Sequence, residues 1–204
     1  MPLDVCSDLS PADWIVASHI PWKRLVTIGP GGFSAYVRVR FMPDPTDVGQ
    51  RENEADLDGS PDEIEQWRAM LQLLSEETAD PDDCYFGLWD GWGFPEPARR
   101  WPTFAVMDSG AFSVRAYYLF HGSLSDVEIP GTPAHAGIWS RREFASGGTP
   151  AFVWPADRTW CITADVDPHW AGIGASKPTI DRLIADQRID AVRTDPADDQ
   201  PFYR

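Results

Sequence analysis

The sequence predicts an α+β fold: a single domain over residues 1–204, with a mostly antiparallel sheet and two main helices, at about 61–75 and 177–186, packed on one face. Three observations carry that expectation. Short apolar or alternating runs bounded by Gly, Pro and Asp outnumber helical patterns. Only two stretches have apolar residues at three- and four-residue spacing. No internal repeat or low-complexity linker divides the 204 residues, a length suited to one substantial core. The apolar fraction is 43 %, and ten Trp, ten Phe and five Tyr are available to fill that core.

Taken in order, Arg24–Ile28 reads as a short β run ended by Gly29-Pro30-Gly31-Gly32. The next run, Ser34–Phe41, alternates. Ala35, Val37, Val39 and Phe41 point one way, and Tyr36, Arg38 and Arg40 point the other. The pair reads as a hairpin whose arginine face stays wet. Residues 43–59 are polar and hold Pro43, Pro45, Gly49 and Gly59, which predicts an exposed loop inserted into the frame. Ser60-Pro61-Asp62-Glu63 is a capping box, and Ile64, Trp67, Met70, Leu71 and Leu74 form the stripe of the first helix. Glu76 and Glu77 oppose its dipole, and Pro81 stops it.

Cys84–Trp89 reads as a buried strand closed by a turn at 90–95. Thr103–Met107 and Ala116–His121 are two further strands, and 122–150 is loop-like. Ala151–Trp154 reads as a strand or an extended crossing, and Trp160–Val166 as an alternating strand. Ser176 caps the second helix, whose buried stripe is Ile180, Leu183 and Ile184. Arg188–Arg193 is a short last strand, and 194–204 is a polar tail.

The formal charge of −15 is not spread evenly. Between Met42 and Cys84 fourteen carboxylates face two arginines, while the rest of the chain is close to neutral. Such a block steers basic partners in and repels phosphates, so a basic protein surface is the expected partner and nucleic acid is disfavoured. The expected contacts are Glu52, Glu54, Asp56, Asp58, Asp62 and Glu65, with Trp92 as an aromatic anchor. No run approaches the roughly 18 apolar residues of a membrane helix. The first residues lack the basic start and apolar centre of a signal peptide, so a cytoplasmic protein without membrane contact is expected. The three cysteines are odd in number and show no CxxC spacing, which argues against a disulfide framework.

Two constellations could carry chemistry. On a strand, Asp165, Asp167 and His169 would share a face, and two carboxylates with an imidazole suit a divalent metal such as Mn²⁺ or Fe²⁺. Pro168 works against that alternation. Gly172, Gly174, Ser176 and Lys177 precede a helix, where backbone amides could hold an anion, although the spacing is not that of a phosphate loop. No G-x-S-x-G is present, and His19, His121 and His135 are isolated. Trp89, Trp92 and Phe94 are either core residues at a strand end or an aromatic platform. A platform at Trp92 would support a homodimer.

The run Ala151–Asp167 (AFVWPADRTWCITADVD) and the run Cys84–Gly93 (CYFGLWDGWG) resemble segments of a family of actinobacterial proteins without assigned activity. With Leu25–Pro43 and Gly172–Leu183 the resemblance covers most of the chain. The excess of arginine over lysine, fifteen to two, fits a GC-rich genome. The W-D-G-W-G stretch is also similar to segments of SMI1/KNR4-like immunity proteins, although that pattern has a leading helix before its first strands. Neither resemblance assigns site residues. The reading that follows is a non-catalytic acidic binding module, regulatory or toxin-neutralising, that engages a basic partner through 43–83 and needs no cofactor. The alternative is a small metal-dependent enzyme using Asp165, Asp167 and His169.

Overall fold

The computed structural model describes residues 3–92, 94, 98–107, 114–126 and 149–204. The loop-like stretch expected at 122–150 falls largely outside them. The strands are β1 (Asp4–Val5), β2 (Ala35–Arg40), β3 (Cys84–Trp89), β4 (Thr103–Met107), β5 (Val114–Gly122), β6 (Phe152–Pro155), β7 (Cys161–Thr163), β8 (Trp170–Ala175) and β9 (Ala191–Thr194). They form one nine-stranded sheet in the order β1-β5-β3-β6-β7-β8-β2-β9, with β4 also paired to β5. Every pairing is antiparallel, from Asp4↔His121 at one edge to Val39↔Ala191 at the other. The helices are α1 (Asp13–Val16), α2 (Trp22–Thr27), α3 (Glu63–Ser75) and α4 (Lys177–Ala185). Among the described residues no helix is long and apolar enough to cross a membrane.

The two main helices lie on one face, as expected. Trp67, Met70, Leu71 and Leu74 of α3 and Ile180 and Leu183 of α4 join Val37, Val39, Phe86, Leu88, Val153, Ile162 and Ile173 in one core. Full burial of each large side chain contributes about 1.5–3 kcal/mol. Asp62, rather than Ser60, caps α3, accepting from the amides of Ile64 (3.0 Å) and Glu65 (3.1 Å). At the other end of α3, Glu76 and Glu77 oppose the dipole but are paired with Arg182 of α4, Glu76 at 2.6 Å. A single cation from the neighbouring helix, Arg182, thus offsets the unfavourable end charges.

The opposite face is covered too. Ile15 of α1 and Leu25 and Val26 of α2 pack with Tyr117, Leu119, Phe152, Trp154 and Cys161. Burial on both faces explains the near-continuous apolar runs of β3, β6 and β8, whose residues are almost all buried. It also corrects the hairpin expected over 24–41. Arg24–Thr27 is the end of α2, opened by Pro21, whose carbonyl accepts from the amides of Arg24 (2.9 Å) and Leu25 (3.0 Å). A run as short as Arg24–Ile28, with Leu25, Val26 and Ile28 apolar, fits a strand or a helix turn equally, and packing decides. The helix comes so close to β8 that a Cβ on Gly172 would lie 2.6 Å from the Ile28 Cα and 2.7 Å from the Thr27 carbonyl oxygen. Glycine in this strand is therefore a requirement of the helix–sheet contact.

The arginine face of β2 is not wet. Arg38 is 5 % exposed. Its guanidinium lies over Trp170 at 4.9 Å and grips Asp44 with both terminal nitrogens, at 2.6 and 3.0 Å. The C-terminal tail closes over the same place: Phe202 packs on Trp170, and Tyr203 on His169, both at 4.8 Å between ring centres. The Tyr203 hydroxyl donates to the Pro43 carbonyl at 2.6 Å. Deeper in, the fully buried Gln66 of α3 donates to the Arg40 carbonyl (2.9 Å) and accepts from the Asp190 amide (2.8 Å), locking α3 to β2 and to the turn before β9.

Candidate functional site

The antiparallel order brings the ends of β2, β3 and β7 and the start of β8 to one end of the sheet. The segments that follow them enclose a cavity of about 290 Å³. Its walls are Phe41 and Met42 after β2, Trp92 after β3, and Ala164, Val166 and Pro168 between β7 and β8. Glu52 of the 43–59 loop and Glu63 of α3 line it as well, together with Thr149, Asp165, Asp167 and His169. No lysine or arginine lines it among the described residues. Two groups of residues that the sequence singled out separately, Glu52 with Trp92 and Asp165 with Asp167 and His169, thus border one concave space.

The three metal candidates share that space without converging. β7 ends at Thr163, so strand alternation does not apply to 165–169. Asp165 and Asp167 both pair with Arg115, which is held between the rings of Trp22 (5.4 Å) and Trp89 (5.5 Å). Asp165 also accepts from the Tyr117 hydroxyl (3.1 Å) and the Val166 amide (2.7 Å). Burial pushes the Asp165 carboxyl up from its ordinary value, against the pull of Val166, Arg115 and Tyr117. His169 turns elsewhere, its Nε2 3.4 Å from Asp44 Oδ1. Among the described residues no three His, Cys, Asp or Glu side chains are placed to hold a metal ion.

The anion candidates are taken up by the fold. Gly172 and Gly174 lie inside β8, paired with β2 on one side and β7 on the other. Ser176 caps α4 by accepting from the Thr179 amide at 3.2 Å. The Lys177 amide donates to Ser34 (3.1 Å) and its ammonium to Asp181 (2.8 Å). The three cysteines are free thiols; burial pushes Cys84 up to about 12, and burial with Asp8 and Asp4 pushes Cys6 up to about 11.

The acidic block divides into two parts. Asp44, Glu76, Glu77 and Asp83 face Arg38, Arg182 and His121. Glu65 pairs with Arg68 on the exposed side of α3 at 2.6 Å, a contact of small worth. Asp47, Glu52, Glu54, Asp56, Asp58, Asp62, Glu63, Asp80 and Asp82 have no lysine, arginine or histidine within ion-pair distance among the described residues. All nine are exposed; seven of them fall between Asp47 and Glu63, where Glu52 and Glu63 line the cavity, and Asp80 and Asp82 follow α3. Val48 and Leu57 are exposed on the same loop.

No known protein family, curated protein or solved structure matches the chain.

The aromatic trio at the end of β3 splits. Phe94 is 4 % exposed, and Trp89 packs against the α1–α2 side beside Arg115. Trp92 is half-buried, lines the cavity and has its indole N–H buried with no acceptor among the described residues. A more open groove of about 680 Å³ lies between Tyr36–Arg38 and the 194–201 tail. Its arginines are already matched, Arg38 to Asp44 and Arg193 to Asp181, and its acids Asp195, Asp198 and Asp199 lie on the exposed tail.

Proposed function

We propose that this protein is a non-catalytic binding module of regulatory or toxin-neutralising type, which engages a basic protein surface through the acidic region 43–83. The observation that carries the reading is the unneutralised set from Asp47 to Glu63, concentrated on one loop and the start of α3. The working part of the region is narrower than the whole block, because Asp44, Glu76, Glu77 and Asp83 serve internal pairs. Exposed charges of one sign raise the encounter rate with a basic partner and select against acidic ones. Val48 and Leu57 add apolar contact to the same surface.

A lysine-rich peptide titrated into the protein is expected to bind with an affinity that falls as salt rises, since exposed charges are screened over about 8 Å at 0.15 M ionic strength. Glu52→Gln, Asp56→Asn and Asp58→Asn together should weaken binding roughly tenfold, each exposed pair being worth a fraction of a kcal/mol. These side chains are exposed and make no side-chain hydrogen bond or ion pair to another element among the described residues, so the variant should melt like the parent. Affinity that ignores salt, or that survives the three substitutions, removes the proposal.

A further inference from the structure

We infer that the cavity between Phe41, Trp92 and Glu63 receives a single basic side chain, lysine or arginine, from the partner polypeptide. The inference rests on the docking reading above and assigns that surface its specificity pocket. Size is the first argument. At about 290 Å³ the space is at the lower limit of ligand pockets and suits one side chain rather than a nucleotide or a folded element.

Lining chemistry is the second argument. Phe41, Met42, Trp92 and Val166 offer apolar walls for an aliphatic stem, and Glu52 and Glu63 offer carboxylates at its end. Those two acids have no internal cation, whereas Asp165 and Asp167 are already committed to Arg115. Desolvation by its surroundings, with Asp62 beside it, pushes the Glu63 carboxyl up from its ordinary value against the pull of the Trp67 indole. An anionic occupant would meet the unpaired Glu52 and Glu63, with no lysine or arginine in the lining among the described residues. The Trp92 ring is also a face on which a cation can rest.

Trp92 also lines the cavity, and its buried indole N–H has no acceptor among the described residues, a state it shares with Trp14, Trp22, Trp67 and Trp160; that N–H is a reporter of occupancy rather than a contact.

The probe is Nα-acetyl-lysine N-methylamide, compared with its norleucine analogue, which keeps the stem and carbonyls and lacks the ammonium. The lysine compound is expected to bind saturably with a dissociation constant on the order of 1 mM and to move the Trp92 indole N–H signal, which is assigned by its loss in Trp92→Phe. The norleucine compound should bind about tenfold more weakly, and Glu63→Gln should cost the lysine compound a similar factor. Asp198→Asn, on the exposed C-terminal tail, should leave it unchanged. Equal affinity for the two compounds, an unmoved Trp92 signal at saturation, indifference to Glu63→Gln, or no saturable binding each overturns the inference. If the lysine-rich peptide still binds with the expected salt dependence in Glu63→Gln and Trp92→Phe, the pocket falls while the docking surface stands. Loss of peptide binding in the parent protein removes both.

Discussion

Asp44→Ala is expected to lower the stability of the protein by about 3 kcal/mol or more at neutral pH, the cost of leaving a buried charge without its partner. Arg38 is the charge at stake. Its side chain is 6 % exposed, and Asp44 holds it with both carboxylate oxygens. Arg40, 3.3 Å from the same carboxylate, would keep only Asp190. Burial on its own would raise the Asp44 carboxyl. His169, Arg38 and Arg40 overcome that and hold it well below the usual carboxylate range. A depressed folded-state value means that the stabilisation is fully present above the unfolded value of about 3.9 and is lost as pH falls through the folded value. Urea unfolding should therefore show a wide gap between parent and variant at pH 7 and a narrowing gap in strong acid. A gap below about 1 kcal/mol at pH 7, or one that widens with acidification, contradicts the role assigned to Asp44.

Arg115→Met should be comparably damaging, at about 3–5 kcal/mol, and its defect should also fade in acid, but for the reverse reason: Asp165 is an acid raised by folding rather than lowered. The Asp165 side chain is 1 % exposed, and Arg115 is its only basic partner among the described residues. The methionine would leave the carboxylate with the neutral donors Tyr117 and Val166. Burial already raises the Asp165 carboxyl in the parent, and it would rise further in the variant. For an acid raised in the folded state, stability is lost as pH climbs from the unfolded value through the folded one. The defect should thus be largest near neutrality and shrink in acid. Adding Asp165→Asn should restore much of the loss at pH 7, because an amide can still accept from Tyr117 at 3.1 Å without burying charge. Failure of the double variant to recover, with the single variant unstable at all pH values alike, would show that packing between Trp22 and Trp89 rather than charge is what Arg115 provides.

These two ion clusters mark where the sequence stops being legible. Strands β3 and β4 are readable to the residue, because Cys84–Trp89 and Thr103–Met107 are apolar runs stopped by Asp90 and Pro102. The stripe of α3 is readable because Trp67, Met70, Leu71 and Leu74 keep helical spacing. Strand β8 is not readable. Its Gly172 and Gly174 argue against a strand by propensity and are present because α2 and Phe33 press against them. Alternation correctly puts Arg38 and Arg40 on one face, but it cannot say that Trp170, Phe202 and Tyr203 cover that face from more than 100 residues away. The same holds for the cavity. Glu52, Trp92 and Asp167 are each conspicuous in sequence, and only the antiparallel order of β2, β3, β7 and β8 puts them around one opening. Asp44 stands among the other acids as if it were one more surface charge, and its function as a counter-ion depends on the burial of Arg38.

The division of the acids into paired and unpaired sets is the claim on which the functional account turns, and a residue-resolved map of peptide binding tests it most directly. Backbone amide shifts recorded while a lysine-rich peptide is added at low salt should concentrate at 47–63, at Trp92 and at Val166–Asp167. Asp195, Asp198 and Asp199, acids of the C-terminal tail remote in sequence from that loop, should stay quiet. Shifts centred on 195–199, or spread evenly over every exposed acid, would contradict the account.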